Sequence, residues 1–220
     1  MKKLVVDLKK HTFTKRSLLW SIVSLVAILA VGIYFSKYNI GPFAGEKISG
    51  LQDNHIRLVS NESGMNQLTY DYYGEYELNY EGNGIELYLD YYNHGKKESN
   101  QLLTSVTTEG SQDFSGPLLW GLTPAKEDED TEFEDVYAKM TLSSASSSSR
   151  NRFYLLPKTN TGIFSTFTPD NSNDSLIKDK PVILWSYMED GSVYPTSADY
   201  FNGEKPKTDK IFAVLYFIPK

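Results

Sequence analysis

The sequence predicts an all-β domain, a β-sandwich or open barrel of nine or ten strands, preceded by one transmembrane α-helix. Three observations predict it. Residues 17–35 form an apolar run without a single charge. Beyond residue 53 no stretch of helical length keeps a 3.6-residue apolar period. Short apolar or alternating runs recur there instead, separated by Gly, Asn, Asp, Ser and Pro.

The helix comes first. Ser17 to Phe35 reads SLLWSIVSLVAILAVGIYF, which spans about 28 Å as a helix and matches the hydrocarbon core of a bilayer. Trp20 stands near one end, and Tyr34, Phe35 and Tyr38 near the other, as interfacial aromatics do. Residues 1–16 carry six Lys or Arg and one Asp, a net charge of +5. That basic flank is expected in the cytoplasm, with the C-terminal bulk outside. The apolar run exceeds the usual signal-peptide core, so an uncleaved signal anchor is expected. Cleavage after a small-x-small triplet, Ala30-Val31-Gly32, is the alternative. The expected layout is a basic cytoplasmic tail (1–16), a membrane helix in contact with the lipid bilayer (17–36), a Gly-rich stalk (37–53) and an extracytoplasmic β domain (54–220).

The chain's formal charge is −6. With +5 in the tail and Lys37 just past the apolar run, residues 38–220 carry −12. An acidic exported domain argues against nucleic acid as a partner. There is no cysteine, so disulfides, thiolate metal sites, a Cys nucleophile and a lipid-modified Cys are excluded. Such an exported domain fits a bacterial source. In general layout alone, the chain resembles single-span surface proteins of Gram-positive bacteria with immunoglobulin-like or other sandwich ectodomains. That resemblance transfers no residues.

Strands are expected at His55–Ser60, Tyr76–Tyr80, Ile85–Tyr91, Gln101–Thr108, Glu134–Leu142, Arg152–Leu156, Gly162–Thr168, Val182–Met188 and Lys210–Ile218, with Pro117–Leu122 a weaker candidate. The run IFAVLYFI at 211–218 is continuously apolar and reads as a central strand buried on both faces. Loops are expected at Lys126–Asp135, at the serine run Ser143–Ser149 and at Pro169–Asp174.

Residues 70–92 hold eight of the 16 tyrosines. Alternation puts Tyr76, Leu78 and Tyr80 on one face, and Ile85, Leu87, Leu89 and Tyr91 on another apolar face. Gly82-Asn83-Gly84 between them predicts a two-residue hairpin, its loop at Gly82-Asn83 or at Asn83-Gly84. Tyr88 and Tyr92 then point outward among Glu77, Glu86 and Asp90. Aromatic rings beside carboxylates suit a glycan or the basic patch of a protein. A sheet surface that merely uses Tyr for cross-strand packing is the plainer reading. Tyr70, Tyr72 and Tyr73 stay unassigned.

Catalytic signals are poor. His11, His55 and His94 are the only histidines, and no nucleophile elbow, zinc-protease motif or phosphate loop occurs. Within the acidic run 127–135, Asp128, Asp130 and Glu132 are hard-oxygen candidates for Ca²⁺, although such blocks are usually solvated loops. No cofactor is expected. The function expected is a non-enzymatic binding module at the outer membrane face, contacting cell-envelope glycan or an envelope protein. An accessory single-span subunit of a secretion or transport complex ranks second, and an envelope hydrolase last.

Overall fold

A computed structural model describes residues 15–59, 72–124, 133–142, 145–154, 163–166, 174–188, 200–201 and 210–220. One helix, α1 (Lys15–Lys37), precedes the strands β1 (His55–Leu58), β2 (Tyr72–Asn79), β3 (Glu81–Asn93), β4 (Lys96–Asp113), β5 (Gly116–Pro124), β6 (Phe133–Leu142), β7 (Ala145–Tyr154), β8 (Ile163–Thr166), β9 (Asp174–Ser175), β10 (Val182–Met188) and β11 (Phe212–Pro219). They form two antiparallel sheets, one in the order β7-β6-β5-β2-β1-β9 and the other β4-β3-β11-β10-β8. The all-β sandwich expected from the sequence is present. Helix α1 is long and apolar enough to cross a membrane, and its apolar side chains are exposed along its length.

The core lies between the sheets. Tyr76 and Leu78 from β2, Leu118 and Trp120 from β5, and Met140 and Leu142 from β6 meet Ile85, Leu87, Leu89 and Tyr91 from β3 and Leu215 and Phe217 from β11. The alternation read from the sequence therefore chose the buried faces correctly. Strand β11 is central in its sheet, and Phe212 to Phe217 are all buried, because strands lie on both sides and side chains cover both faces.

The hairpin expected at Gly82-Asn83-Gly84 is not formed. Strand β2 pairs with β5, and β3 pairs with β4 and β11. The reversal lies at His94-Gly95, whose φ values of 48° and 70° suit a type I′ turn, with Asn93 paired to Lys96. The result is one long hairpin, Tyr72–Asn93 against Lys96–Pro124, folded over at its middle. Each half joins a different sheet, as strands do when they turn a sandwich corner. At the fold, the Phe114 amide donates to the Tyr80 carbonyl at 2.7 Å. The register slips between Gly82 and Gly84, and the Asn83 amide donates to the Lys220 carbonyl at 2.5 Å. Gly84 has φ +129°, and a Cβ there would stand 2.0 Å from the Val106 carbonyl oxygen. The glycines that look like a turn are what lets two strands cross a corner in contact.

The serine run is a second correction. Residues 145–149 lie in strand β7, paired to β6, and not in a loop. Ser147 accepts a hydrogen bond from the Thr104 hydroxyl at 2.6 Å, and Ser149 donates to the Leu103 carbonyl of β4. Small hydroxyl side chains let an edge of one sheet lie against the edge of the other.

The segment expected as a stalk is folded onto the domain. A short 3₁₀ turn (Gly41–Phe43) follows α1. Asn39, φ 51°, ends the helix in a left-handed cap. The Ile40 amide donates to the Phe35 carbonyl at 2.8 Å and the Asn39 amide to the Ser36 carbonyl at 3.4 Å, the paired bonds of a Schellman motif. The Gly50 amide then returns to the Tyr38 carbonyl at 2.8 Å, closing residues 40–49 into a loop. Leu51 is fully buried.

Candidate functional site: the outer face of the β3–β11 sheet

Pairing fixes this face in three rows across β4, β3, β11 and β10. They are Leu102–Tyr88–Tyr216–Ile183, Asn100–Asp90–Val214–Ser186 and Lys97–Tyr92–Phe212–Met188. Their apolar members other than Leu102 form a second, smaller cluster, separate from the core and roofed by Tyr200. Tyr88 and Tyr92 thus do point away from the main core, as their alternation requires. They are partly covered by this roof.

Asp90 sits at the centre and is only 2 % exposed. Its Oδ2 accepts from the Lys97 ammonium at 2.7 Å and from the Tyr200 hydroxyl. Its Oδ1 accepts from the Asn100 amide at 2.5 Å. The Tyr216 hydroxyl, 2.8 Å from the same Asn100 amide, lies beside it. A buried carboxylate needs such partners, and Asp90 has them from β4 and from the Tyr200 segment. Burial, and then the hydrogen bond to Asp90, push the Tyr200 hydroxyl far above its ordinary range. Burial and the Asp90 charge push Tyr216 up as well. Both therefore remain neutral hydrogen-bond donors at physiological pH.

Tyr92 is held edge-on to Tyr200, ring centroids 6.2 Å apart, with their hydroxyls at 3.0 Å. Tyr88 stacks on Tyr216 at 5.6 Å and 12° between planes. Its hydroxyl donates to Glu86 at 2.9 Å, and the same carboxylate oxygen takes the Lys220 ammonium at 3.0 Å. Burial and the Glu86 bond raise Tyr88. Beside this pair, Leu102 is 44 % exposed and Phe201 37 % exposed. Phe201 meets Tyr216 edge-on at 5.2 Å.

Glu77 stands elsewhere. It lies on β2 in the other sheet and forms an ion pair with Arg57 of β1 at 2.5 Å. The structure brings together Tyr88, Tyr92, Glu86 and Asp90 and leaves Glu77 out, because the expected hairpin is a corner. The Ca²⁺ candidates Asp128, Asp130 and Glu132 lie outside the described residues. Among the described residues no group of three or more His, Asp or Glu is arranged to hold a metal ion. Tyr200, Phe201, Leu102, Tyr216 and Lys97 were not foreseen. The available signal was Asp199-Tyr200-Phe201, two large rings inside a polar stretch that need cover from some surface.

The arrangement can hold an apolar or aromatic group against Tyr88, Leu102 and Phe201. Asp90 and Glu86 are committed to protein donors, so neither is a free general base or acid. No family model, curated protein or solved structure matches the chain, so its functional reading rests on this geometry.

Proposed function

We propose that the protein is a non-enzymatic binding module, anchored by α1 with its β domain on the extracytoplasmic side. Its ligand would be an envelope protein or cell-envelope glycan, taken on the outer face of the β3–β11 sheet. One observation carries the reading. A rigid stacked pair, Tyr88 on Tyr216, is flanked by exposed Leu102 and Phe201 over a carboxylate network that is already satisfied. Aromatic anchors on a preorganised base are what binding hot spots consist of. Leu102 and Phe201 add surface without hydrogen-bonding groups, which favours a protein partner over a sugar. The +5 tail supports the orientation.

The test uses the full chain in membranes. A photo-crosslinker in place of Leu102 captures a partner identified by mass, and Tyr88→Ala lowers the yield. Binding of purified cell wall that is lost in Tyr88→Ala, without a captured protein, identifies glycan instead. If neither is seen, this face is not the site. The accessory-subunit reading has its own support in the folded connection between α1 and the domain, which would transmit force between them. Partners that are lost when residues 17–35 are replaced by a neutral helix would favour it.

A further inference from the structure

We propose that the loop closed by Tyr38 and Gly50 is a second membrane contact, its tip Gly41-Pro42-Phe43 resting in the headgroup–acyl boundary of the leaflet where α1 ends. The inference rests on α1 spanning the bilayer, and it adds a lipid-facing surface to the β domain. Phe43 is 51 % exposed, and Pro42 is exposed beside it, within an uncharged stretch from Tyr38 to Gly45. The Schellman cap turns the chain back at once, so Ile40 is bonded to Phe35, the last residue of the apolar run. Phe43 lies three residues further, within about 11 Å of Ile40. The headgroup region on each side is roughly 5–7 Å thick, so the tip cannot lie far above it.

Neighbouring groups fit the same depth. Tyr34 and Tyr38 pack at 4.7 Å, and the Lys37 ammonium sits 5.7 Å over the Tyr38 ring, an aromatic belt with a cation for lipid phosphate. The tip is not free to swing. Phe43 and Ala44 donate to the Ile40 and Gly41 carbonyls, and Asn79 holds the returning chain through both the Ile48 amide and carbonyl. A large ring held exposed next to a membrane helix, on a loop fixed at both ends, is placed to be covered by lipid.

The absence of cysteine permits single spin labels in the full chain. Labels replace Phe43, Leu25 and Lys96 in separate variants, each in nanodiscs of phosphatidylglycerol and phosphatidylcholine. Lys96, which opens β4 opposite Asn93 at the far end of β3, is the aqueous reference, and Asn93 lies about 40 Å along the strand from Glu81. Collision with oxygen and with an aqueous nickel chelate reads depth. The expected result is a Leu25 label deep in hydrocarbon and a Phe43 label at shallow depth, several-fold less accessible to nickel than Lys96. A deep Leu25 label with a Phe43 label as nickel-accessible as Lys96 overturns the loop contact and leaves the anchor standing. An aqueous Leu25 label overturns the anchor and the loop contact with it. A second readout keeps the native ring. Headgroup-spin-labelled lipid should broaden the Phe43 ring resonances, assigned by their loss in Phe43→Ser, and sharp resonances would count against the contact.

Discussion

Asn39 and Asn79 donate their side-chain amides to the same acceptor, the Leu51 carbonyl, at 2.7 and 2.8 Å. One residue caps the helix, and the other ends β2, forty positions later. The helix cap and the sandwich therefore share one acceptor, and Asn79 adds two bonds to Ile48 beside it. Both residues are buried, Asn39 at 4 % and Asn79 at 1 % exposure, so water cannot replace either bond cheaply.

Asn79→Ala is expected to destabilise the domain by about 2–3 kcal/mol, because it orphans the Ile48 amide and carbonyl as well as one bond to Leu51. Asn39→Ala is expected to cost about 1–2 kcal/mol, part of it from placing alanine at φ 51°. The two effects should not add. A double-mutant cycle by denaturant unfolding should give a coupling energy of about 0.5 kcal/mol or more. Strict additivity would mean that the shared carbonyl couples nothing.

The same connection should respond to pH. Asp53 accepts from Lys47 at 2.8 Å and from Asn39 at 3.0 Å, and those bonds hold its carboxyl below the usual 3.8. A lowered carboxyl stabilises the fold above its ordinary value, and that contribution disappears as pH falls through the lowered one. Lys47, raised above 10.5 chiefly by the bond to Asp53, contributes below that value and loses its contribution as pH rises through the raised one. The melting difference between the native chain and Asp53→Asn should thus be flat between about pH 5 and 9 and shrink below pH 3.8. A difference that persists unchanged at pH 2 would show that the carboxylate charge is irrelevant.

Much of this fold was legible in the sequence, and the failures have one cause. Alternation assigns a residue to a face, so Tyr76, Leu78, Ile85, Leu87, Leu89 and Tyr91 were read correctly as buried. Alternation does not say which strand lies alongside. Gly82-Asn83-Gly84 offers turn chemistry, yet a corner between two sheets needs the same small, permissive residues. The site suffered in the same way. Tyr88, Glu86, Asp90 and Tyr92 share a face because they share a strand, whereas Glu77 was added only by the assumed pairing. The burial of Asp90 depends on Tyr200, which is 110 residues away and unreachable by local pattern. The serines of β7 carry no apolar alternation, and the partners of Ser147 and Ser149 lie on β4, 43 and 46 positions away, where the edges of the two sheets meet.

The corner itself is testable. Gly84→Ala places a methyl 2.0 Å from the Val106 carbonyl at φ +129°, so it should cost about 3 kcal/mol or more, or prevent folding. Asn83→Ala removes no backbone bond and should stay within about 0.5 kcal/mol of the native chain. Chemical denaturation of both variants decides the matter. Equal, small effects would be expected of an exposed hairpin loop and would contradict the corner.

The Asp90 network makes the last prediction, because it separates packing from charge. Asp90→Ala should cost about 2–3 kcal/mol, since it removes the carboxylate acceptor shared by the buried Tyr200 hydroxyl and the Asn100 amide and leaves each only a tyrosine hydroxyl. Lys97 is two-fifths exposed and can turn to water, so its loss adds little. Tyr200→Phe alone removes only the donor, and in the Asp90→Ala background it should restore part of the loss by removing a buried hydroxyl that has lost its carboxylate acceptor. Tyr200 also has a pH signature. A tyrosine raised by burial contributes stability below its ordinary value of 10, and that contribution is lost as pH rises through its raised value. Absorbance titration should therefore find the same amount of tyrosinate forming near pH 10 in the native chain and in Tyr200→Phe. If Asp90→Ala unfolds at the native midpoint, the roof of Tyr200 over this face is not held by Asp90, and the preorganisation on which the binding face depends is gone.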